Sequence, residues 1–189
     1  MKALGILAGP RKGRATDMVI DAVLAGLKDR GAETEKISLY DFDIKPCTGC
    51  CTCEKTGKCV IEDDQHIILD KMDASDVIVF GSPVYWSNVT SEAKKLFDRA
   101  AGFFKMTNLG PKRTKDKPGK VVLVASCGAP FPFTHIMGVI PGCMHAMKVF
   151  FGRMKVKIKT IYAAGMLDPK TSKPSEKLLK KAYRLGKTI

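Results

Sequence analysis

Val77-Ile78-Val79-Phe80 runs directly into Gly81-Ser82-Pro83, and this pattern decides the fold. Four consecutive apolar residues offer no polar face, so a strand made from them is covered on both sides. Lys120 to Ala125 repeats the pattern, with Val121-Val122-Leu123-Val124 at its centre. Lys2 to Ala8 is a third short apolar run, ended by Gly9-Pro10. Strands of this kind belong to the interior of a parallel sheet lying between layers of helices.

The segments between these runs supply the rest of such a fold. Thr16 to Leu27 carries Met18, Val19, Ala22, Val23 and Leu27 at helical period, and Gly31 ends it. Thr34 to Leu39 alternates and reads as a strand. Asp63 or Asp64 caps a helix running to Met72, before the strand Asp76 to Phe80. Ser91 caps a helix through Ala101. Phe133 to Phe151 reads as an apolar helix broken near Pro141. Val156 to Ala163 is the last strand, and Ser175 to Leu185 a basic terminal helix. Two loops interrupt the series: a cysteine-rich one within 40–62 and a basic one from Met106 to Gly119. Strand and helix alternate five times. The expectation is α/β, a doubly wound five-stranded parallel sheet in one domain over residues 1–189. Such sheets bind ligands at the carboxyl ends of their strands. That rule selects three loops: Ala8 to Thr16, Ser82 to Asn88, and Ser126 to Pro132.

Composition excludes several classes. With 45% hydrophobic and 27% charged residues, the chain is not disordered. No run of eighteen apolar residues predicts a membrane span. The first residues read as a strand and not as a signal peptide, so a cytoplasmic location is expected. The seven cysteines then read as thiols or metal ligands rather than disulfides. The net charge of +13 raises nucleic acid as a partner. The basic segment Lys112-Arg113-Thr114-Lys115-Asp116-Lys117 interleaves no aromatic residues, however, so steering of anionic cofactors is the favoured reading and no nucleic acid is expected.

The first loop, Gly9-Pro10-Arg11-Lys12-Gly13-Arg14-Ala15-Thr16, joins a strand to a helix. Free amides at a helix N-terminus attract anions, and Thr16, Arg11 and Arg14 add a hydroxyl and charge. The same residues also read as a plain basic turn before a capped helix. Neither a P-loop nor a G-x-G-x-x-G fingerprint is present. Tyr85 and Trp86, after Pro83, either border a planar ring or pack beneath the next helix. Cys127 reads as a small buried residue. His66, His135 and His145 form no metal-like group, and no side chain is assigned to catalysis.

Cys47-x2-Cys50-x2-Cys53-x5-Cys59 is the sharpest motif. Thiolates are soft ligands, and short x2 gaps let one loop wrap an iron–sulfur core. Zinc fits the spacing less well, since its structural sites join two pairs over a longer interval. Bare thiols are the third reading. Adjacent side chains diverge, which leaves Cys51 outside the set.

The first loop resembles the G-S-P-R-K-G-x-x-T signature of the NADPH-dependent FMN reductases and iron–sulfur flavoproteins. Leu7 and Gly9 stand where that family usually has serine, and Ala15 where it has asparagine. Gly81-Ser82-Pro83-Val84-Tyr85 resembles the family's second segment, and Ser91, Lys95, Asp98 and Arg99 its following helix, implied to be scaffold and subunit contact. The resemblance implies a flavodoxin-like fold with strand order 2-1-3-4-5. It implies FMN, its phosphate on Gly9, Arg11, Lys12 and Thr16. It places the isoalloxazine against Pro83, Val84, Tyr85, Trp86 and Asn88 on one side and Ser126, Cys127 and Gly128 on the other. The cysteine spacing is similar to that of the iron–sulfur flavoproteins, where Cys47, Cys50, Cys53 and Cys59 would hold a [4Fe–4S] cluster. The implied activity is FMN-dependent NAD(P)H oxidoreduction. The alternative is an electron-transfer protein reduced by a ferredoxin-like donor, with a redox protein as partner. A homo-oligomer, dimer or tetramer, is expected from the family and from the dense apolar stretch Phe131 to Phe151.

Overall fold

A computed structural model of the chain describes residues 1–107, 110–113, 119–154, 156–168 and 170–189; over 105–107 and 110–113 it describes the backbone alone. Half of the basic loop expected from Met106 to Gly119 therefore lies outside the described residues.

The elements in chain order are β1 (Lys2–Leu7), α1 (Ala15–Lys28), β2 (Glu33–Ser38), α2 (Thr52–Thr56), α3 (Gln65–Ala74), β3 (Val77–Pro83), α4 (Ser91–Asp98), β4 (Phe104–Thr107), β5 (Gly110–Arg113), β6 (Lys120–Ser126), α5 (Phe133–Ile136), α6 (Val139–Gly152), β7 (Lys157–Ala163) and α7 (Glu176–Thr188). β4 and β5 form a small antiparallel hairpin. The other five strands form one sheet in the order β2-β1-β3-β6-β7, every pairing parallel. Counted within the sheet, that is the expected order 2-1-3-4-5.

The strands divide the core as period-two alternation requires. Leu4, Ile6, Ile78, Phe80, Val121 and Leu123 face one layer, with Met72 of α3, Leu96 of α4 and Phe151 of α6. Ala3, Val77, Val79, Val122 and Val124 face the other, with Val19, Val23 and Leu27 of α1 and Ala182 of α7. β3 is buried along its whole length, as the run Val77–Phe80 dictates. β7 lies at an edge and keeps Lys157 and Lys159 exposed, charges that discourage edge-to-edge pairing. Among the described residues no helix is long and apolar enough to cross a membrane.

Three boundaries differ from the sequence reading. The cap of α4 is Thr90 and not Ser91. Thr90 has extended backbone angles, and its hydroxyl accepts from the Ala93 amide while donating to the Ala8 carbonyl at 2.5 Å. The break in the Phe133–Phe151 segment falls at Gly138 and not at Pro141. Gly138 takes φ +66°, whereas Pro141 sits in the first turn of α6, where a missing amide costs nothing. α4 stops at Asp98, and Ala100–Phe103 continues as a 3₁₀ turn.

Candidate functional site

A cavity of about 390 Å³ opens at the carboxyl ends of β1, β3 and β6. Gly9, Arg11 and Thr16 line it from the first loop, Pro83, Val84 and Tyr85 from the second, and Ser126, Cys127 and Gly128 from the third. Nine of the twelve residues singled out for FMN thus share one wall system. Gly81 sets the depth of the cavity. A Cβ there would lie 2.7 Å from both Thr16 Cγ2 and Ile20 Cδ1, so only glycine lets α1 sit this close to β3. Thr16 then meets Ser126 across the cavity floor, their hydroxyl oxygens 2.6 Å apart and buried. One hydroxyl donates to the other, which leaves one O–H of the pair for a ligand. The loops are tied together by backbone bonds: the Val84 amide donates to the Ser126 carbonyl at 2.8 Å, and the Cys127 amide to the Ala163 carbonyl at 3.0 Å.

Three of the twelve do not line the cavity. The Lys12 ammonium is 2.6 and 2.8 Å from the carboxylate oxygens of Asp41, an exposed ion pair outside the wall. Trp86 and Asn88 belong to a tight turn in which Tyr85 and Asn88 exchange both amide–carbonyl bonds at 2.9 Å. Trp86 and Ser87, at φ +49° and +59°, fill the two corners of this turn, a geometry that throws the Trp86 ring fully into solvent. The Asn88 side chain accepts from the Val89 amide.

Sequence reasoning missed a fourth wall. Met166, Leu167 and Ser172, from the segment after β7, line the same cavity. The Met166 amide donates to the Cys127 carbonyl and the Gly165 amide to the Ala129 carbonyl, at 3.0 and 2.9 Å. Within this segment the Thr171 hydroxyl and nearby amides hold the Asp168 carboxyl below the usual carboxylate range, and the charge of Arg14 adds to the effect. Arg14 also lines the cavity, so it and Arg11 are the wall's two cations. The Gly13 amide is spent on Asp17 at 2.7 Å, which removes one donor from the loop. The signal that was available is the carboxyl-end rule itself, applied to β7 as well as to the inner strands.

Donor chemistry and shape fit a flavin mononucleotide. Two arginines and the N-terminus of α1 suit a phosphate. An aromatic side chain and a glycine-containing backbone loop flank the remaining space. Burial pushes the Cys127 thiol up, which makes it a neutral wall atom and a poor nucleophile.

The cysteine segment stands apart. Cys47, Cys50, Cys53 and Cys59 surround a small cavity together with Cys51, Asp98 and Arg99. All are free thiols. Burial pushes the Cys53 thiol up, and the neighbouring Cys59, Cys50 and Cys47 push it further. The Cys51 thiol lies 3.5 Å from the Gly49 carbonyl. The Cys50 thiol is lowered by the amide and hydroxyl of Thr52. Among the described residues no three Cys, His, Asp or Glu side chains stand gathered to hold a single ion. The donor set nonetheless suits a thiolate-held group, because four crowded thiols gain from a cationic core and exposed Cys47 and Cys50 are free to turn inward.

Comparison with known proteins agrees with this geometry. The description "NADPH-dependent FMN reductase" belongs to the family matched by residues 1–132. An iron–sulfur flavoprotein of Methanocaldococcus jannaschii is 43% identical over 100 residues, 53% of this chain and 52% of that one. One from Archaeoglobus fulgidus is 37% identical over 130 residues, 69% of this chain and 57% of that one. The chain spans about half the length of these curated relatives. The NAD(P)H:quinone oxidoreductase from Methanothermobacter marburgensis superposes with a TM-score of 0.78 at 20% identity, over 99% of this chain and 98% of that one, a likeness of fold. The matched family segment runs through the first loop, the cysteine loop, the Pro83–Tyr85 turn and the Ser126–Gly128 loop, and the chain belongs to the NADPH-dependent FMN reductase family.

Proposed function

We propose that the chain, acting as one flavodoxin-like unit over 1–189, is a cytoplasmic FMN-dependent NAD(P)H oxidoreductase. The observation that carries this reading is the cavity in which Arg11, Arg14 and the α1 N-terminus adjoin Tyr85 and the Cys127–Gly128 backbone. Arg11, Arg14 and the Gly9 backbone receive the phosphate. The Thr16–Ser126 pair donates its free O–H toward the ligand. Val84, Tyr85, Cys127 and Gly128 flank the ring and limit its exposure to water. When bound, FMN supplies hydride acceptance from a nicotinamide and release of single electrons. No side chain is required to move a proton in that exchange.

Cys47, Cys50, Cys53 and Cys59 hold a [4Fe–4S] cluster in this reading. It supplies one-electron transfer, which would match a two-electron donor to a one-electron acceptor. The gathering of these four thiols around one small cavity supports the ligand set. A second reading is an electron-transfer protein reduced by a ferredoxin-like partner; the exposed cysteine segment and the charge of +13 favour it. The chain is also a homo-oligomer in this proposal, joined through exposed Phe131, Phe133, Ile136 and Met137. Light scattering should return at least twice the mass of one chain, and a monomer throughout the micromolar range would oppose it.

Anaerobic purification with flavin, iron and sulfide analysis tests the reading. FMN should be recovered and NAD(P)H should bleach it. Recovery of FAD, or no affinity for FMN, overturns the flavin assignment. Bleaching by reduced ferredoxin alone selects the second reading. Flavin without iron after reconstitution rejects the cluster. Cys51→Ser should retain iron, while Cys50→Ser and Cys53→Ser should lose it and keep FMN.

A further inference from the structure

Arg99 follows the last residue of α4, and its side chain is 1% exposed. A guanidinium buried to that extent needs partners for its N–H groups. It finds four acceptors on the cysteine segment and the adjoining Asp63. Nε–H donates to Cys59 Sγ at 3.4 Å, one terminal nitrogen to the Lys45 carbonyl at 3.0 Å and to Asp63, and the other to the Ile61 carbonyl at 3.0 Å. Asp63, likewise 1% exposed, accepts from the Lys45 amide at 2.9 Å and the Gln65 amide at 3.0 Å. Lys45 stands two residues before Cys47, and Ile61 two residues after Cys59. One side chain therefore holds both ends of the cysteine loop against α4, whose Ala93 and Leu96 are fixed in the core.

A buried ion pair contributes little net stability of its own, since desolvation offsets the attraction. Its value here is geometric. Closing a loop costs entropy, and a planar fork with fixed N–H directions meets four acceptors that a lysine ammonium cannot reach together. The Nε–H bond also draws electron density from the Cys59 sulfur. Hydrogen bonds to ligand sulfurs are one of the means by which a protein sets the potential of an iron–sulfur centre.

We propose that Arg99 is the positioning residue of the cysteine site, joining the loop's two ends to the scaffold and tuning Cys59 as a ligand. The tuning rests on the cluster reading above; the positioning does not. Asp63 is its counterweight: it fixes the guanidinium and masks its charge from the sulfur.

The test uses the full chain with Arg99→Gln, Arg99→Lys and Asp63→Asn. In metal-free protein, amide hydrogen exchange over residues 45–63 should quicken at least ten-fold in both Arg99 variants, with β1, β3 and α1 unchanged. In anaerobically reconstituted protein, a redox titration followed by electron paramagnetic resonance should show a lower midpoint potential in Arg99→Lys, where the donor to sulfur is lost. It should show a higher one in Asp63→Asn, where the positive charge is unmasked. These opposite signs separate tuning from simple loosening. Unchanged loop exchange in both Arg99 variants overturns the positioning role. Potentials that stay put, or move the same way in both variants, overturn the tuning. If Arg99→Gln fails to fold, Arg99→Lys decides both measurements. If the wild-type chain takes up no iron, the cluster reading fails, tuning falls with it, and exchange alone decides positioning.

Discussion

In the flavin cradle, each wall begins where a strand ends. Pro83 closes β3, Ser126 closes β6, the first loop leaves β1 at Leu7, and the fourth wall leaves β7 at Ala163. Backbone bonds join neighbouring walls, so the geometry follows from the sheet register. The cysteine loop begins after β2, the opposite edge strand, and has only the five-residue α2 and three left-handed residues, Gly49, Cys51 and Gly57, to shape it. Its two ends meet on the Arg99 side chain and through the carboxylates of Asp63 and Asp64. The cradle is thus held by many shared contacts, and the cysteine loop by the buried Arg99 fork and a few bonds that Asp63 and Asp64 make to Lys45 and Asp43. Damage should spread differently in the two.

Removing both cradle cations should have the largest effect. Arg11→Ala with Arg14→Ala removes two charge-assisted donors of roughly 1.5–3 kcal/mol each, so FMN should bind at least a hundred-fold more weakly by calorimetry. Iron uptake at the cysteines should stay unchanged; a parallel loss would mean the two regions are coupled and break the comparison. Next come two glycine substitutions. Gly81→Ala drives a Cβ to 2.7 Å from Thr16 and Ile20 and should cost about 1–3 kcal/mol in global denaturation, with weaker FMN binding. Gly57→Ala meets no neighbour within 4 Å but sits at φ +72°, so about 1–2 kcal/mol of strain should appear as local loop exchange and leave the global midpoint nearly in place.

Thr16→Val keeps the shape and leaves Ser126 without its partner. FMN affinity should fall by about ten-fold, the effect of one lost hydrogen bond, and the calorimetric titration above measures it. At neutral pH the smallest effect concerns Cys143 in α6. Burial pushes its thiol from 9.0 up to about 12, the charge of Cys127 adding and Ser82 opposing. The folded chain keeps a proton that the unfolded chain releases above pH 9. Stability present below that pH therefore declines between pH 9 and 12, by up to about 1.4 kcal/mol per pH unit. Urea melts at pH 8 and 10 should show the slope, and Cys143→Ala should flatten it.

Much of the fold was legible because apolar runs carry their own geometry. Val77–Phe80 and Val121–Val124 require cover on both faces whatever surrounds them, and the sheet buries both. The three inner loops were legible for the same reason, since each follows such a run. Boundaries set by one hydrogen bond were less so. Thr90 and Ser91 have equal claims as caps until the Ala8 carbonyl, 82 residues away, selects Thr90. Lys12 and Arg11 likewise look equivalent until Asp41 takes the lysine.

By itself the sequence determined the layered α/β architecture, the loops that face the ligand edge and the grouping of four cysteines at short spacing. These are properties of residue type and local order. Tertiary structure alone decided which members of each loop point inward: that Trp86 leaves the cradle through a left-handed turn, and that Met166 and Leu167 enter it. It also joined two motifs that look unrelated in the chain, the Asp98-Arg99 end of α4 and the Cys59–Asp63 segment. The physical reason is that side-chain direction and pairing depend on partners brought close only by folding. A guanidinium at position 99 carries no sign in the sequence that its four acceptors lie between residues 45 and 63.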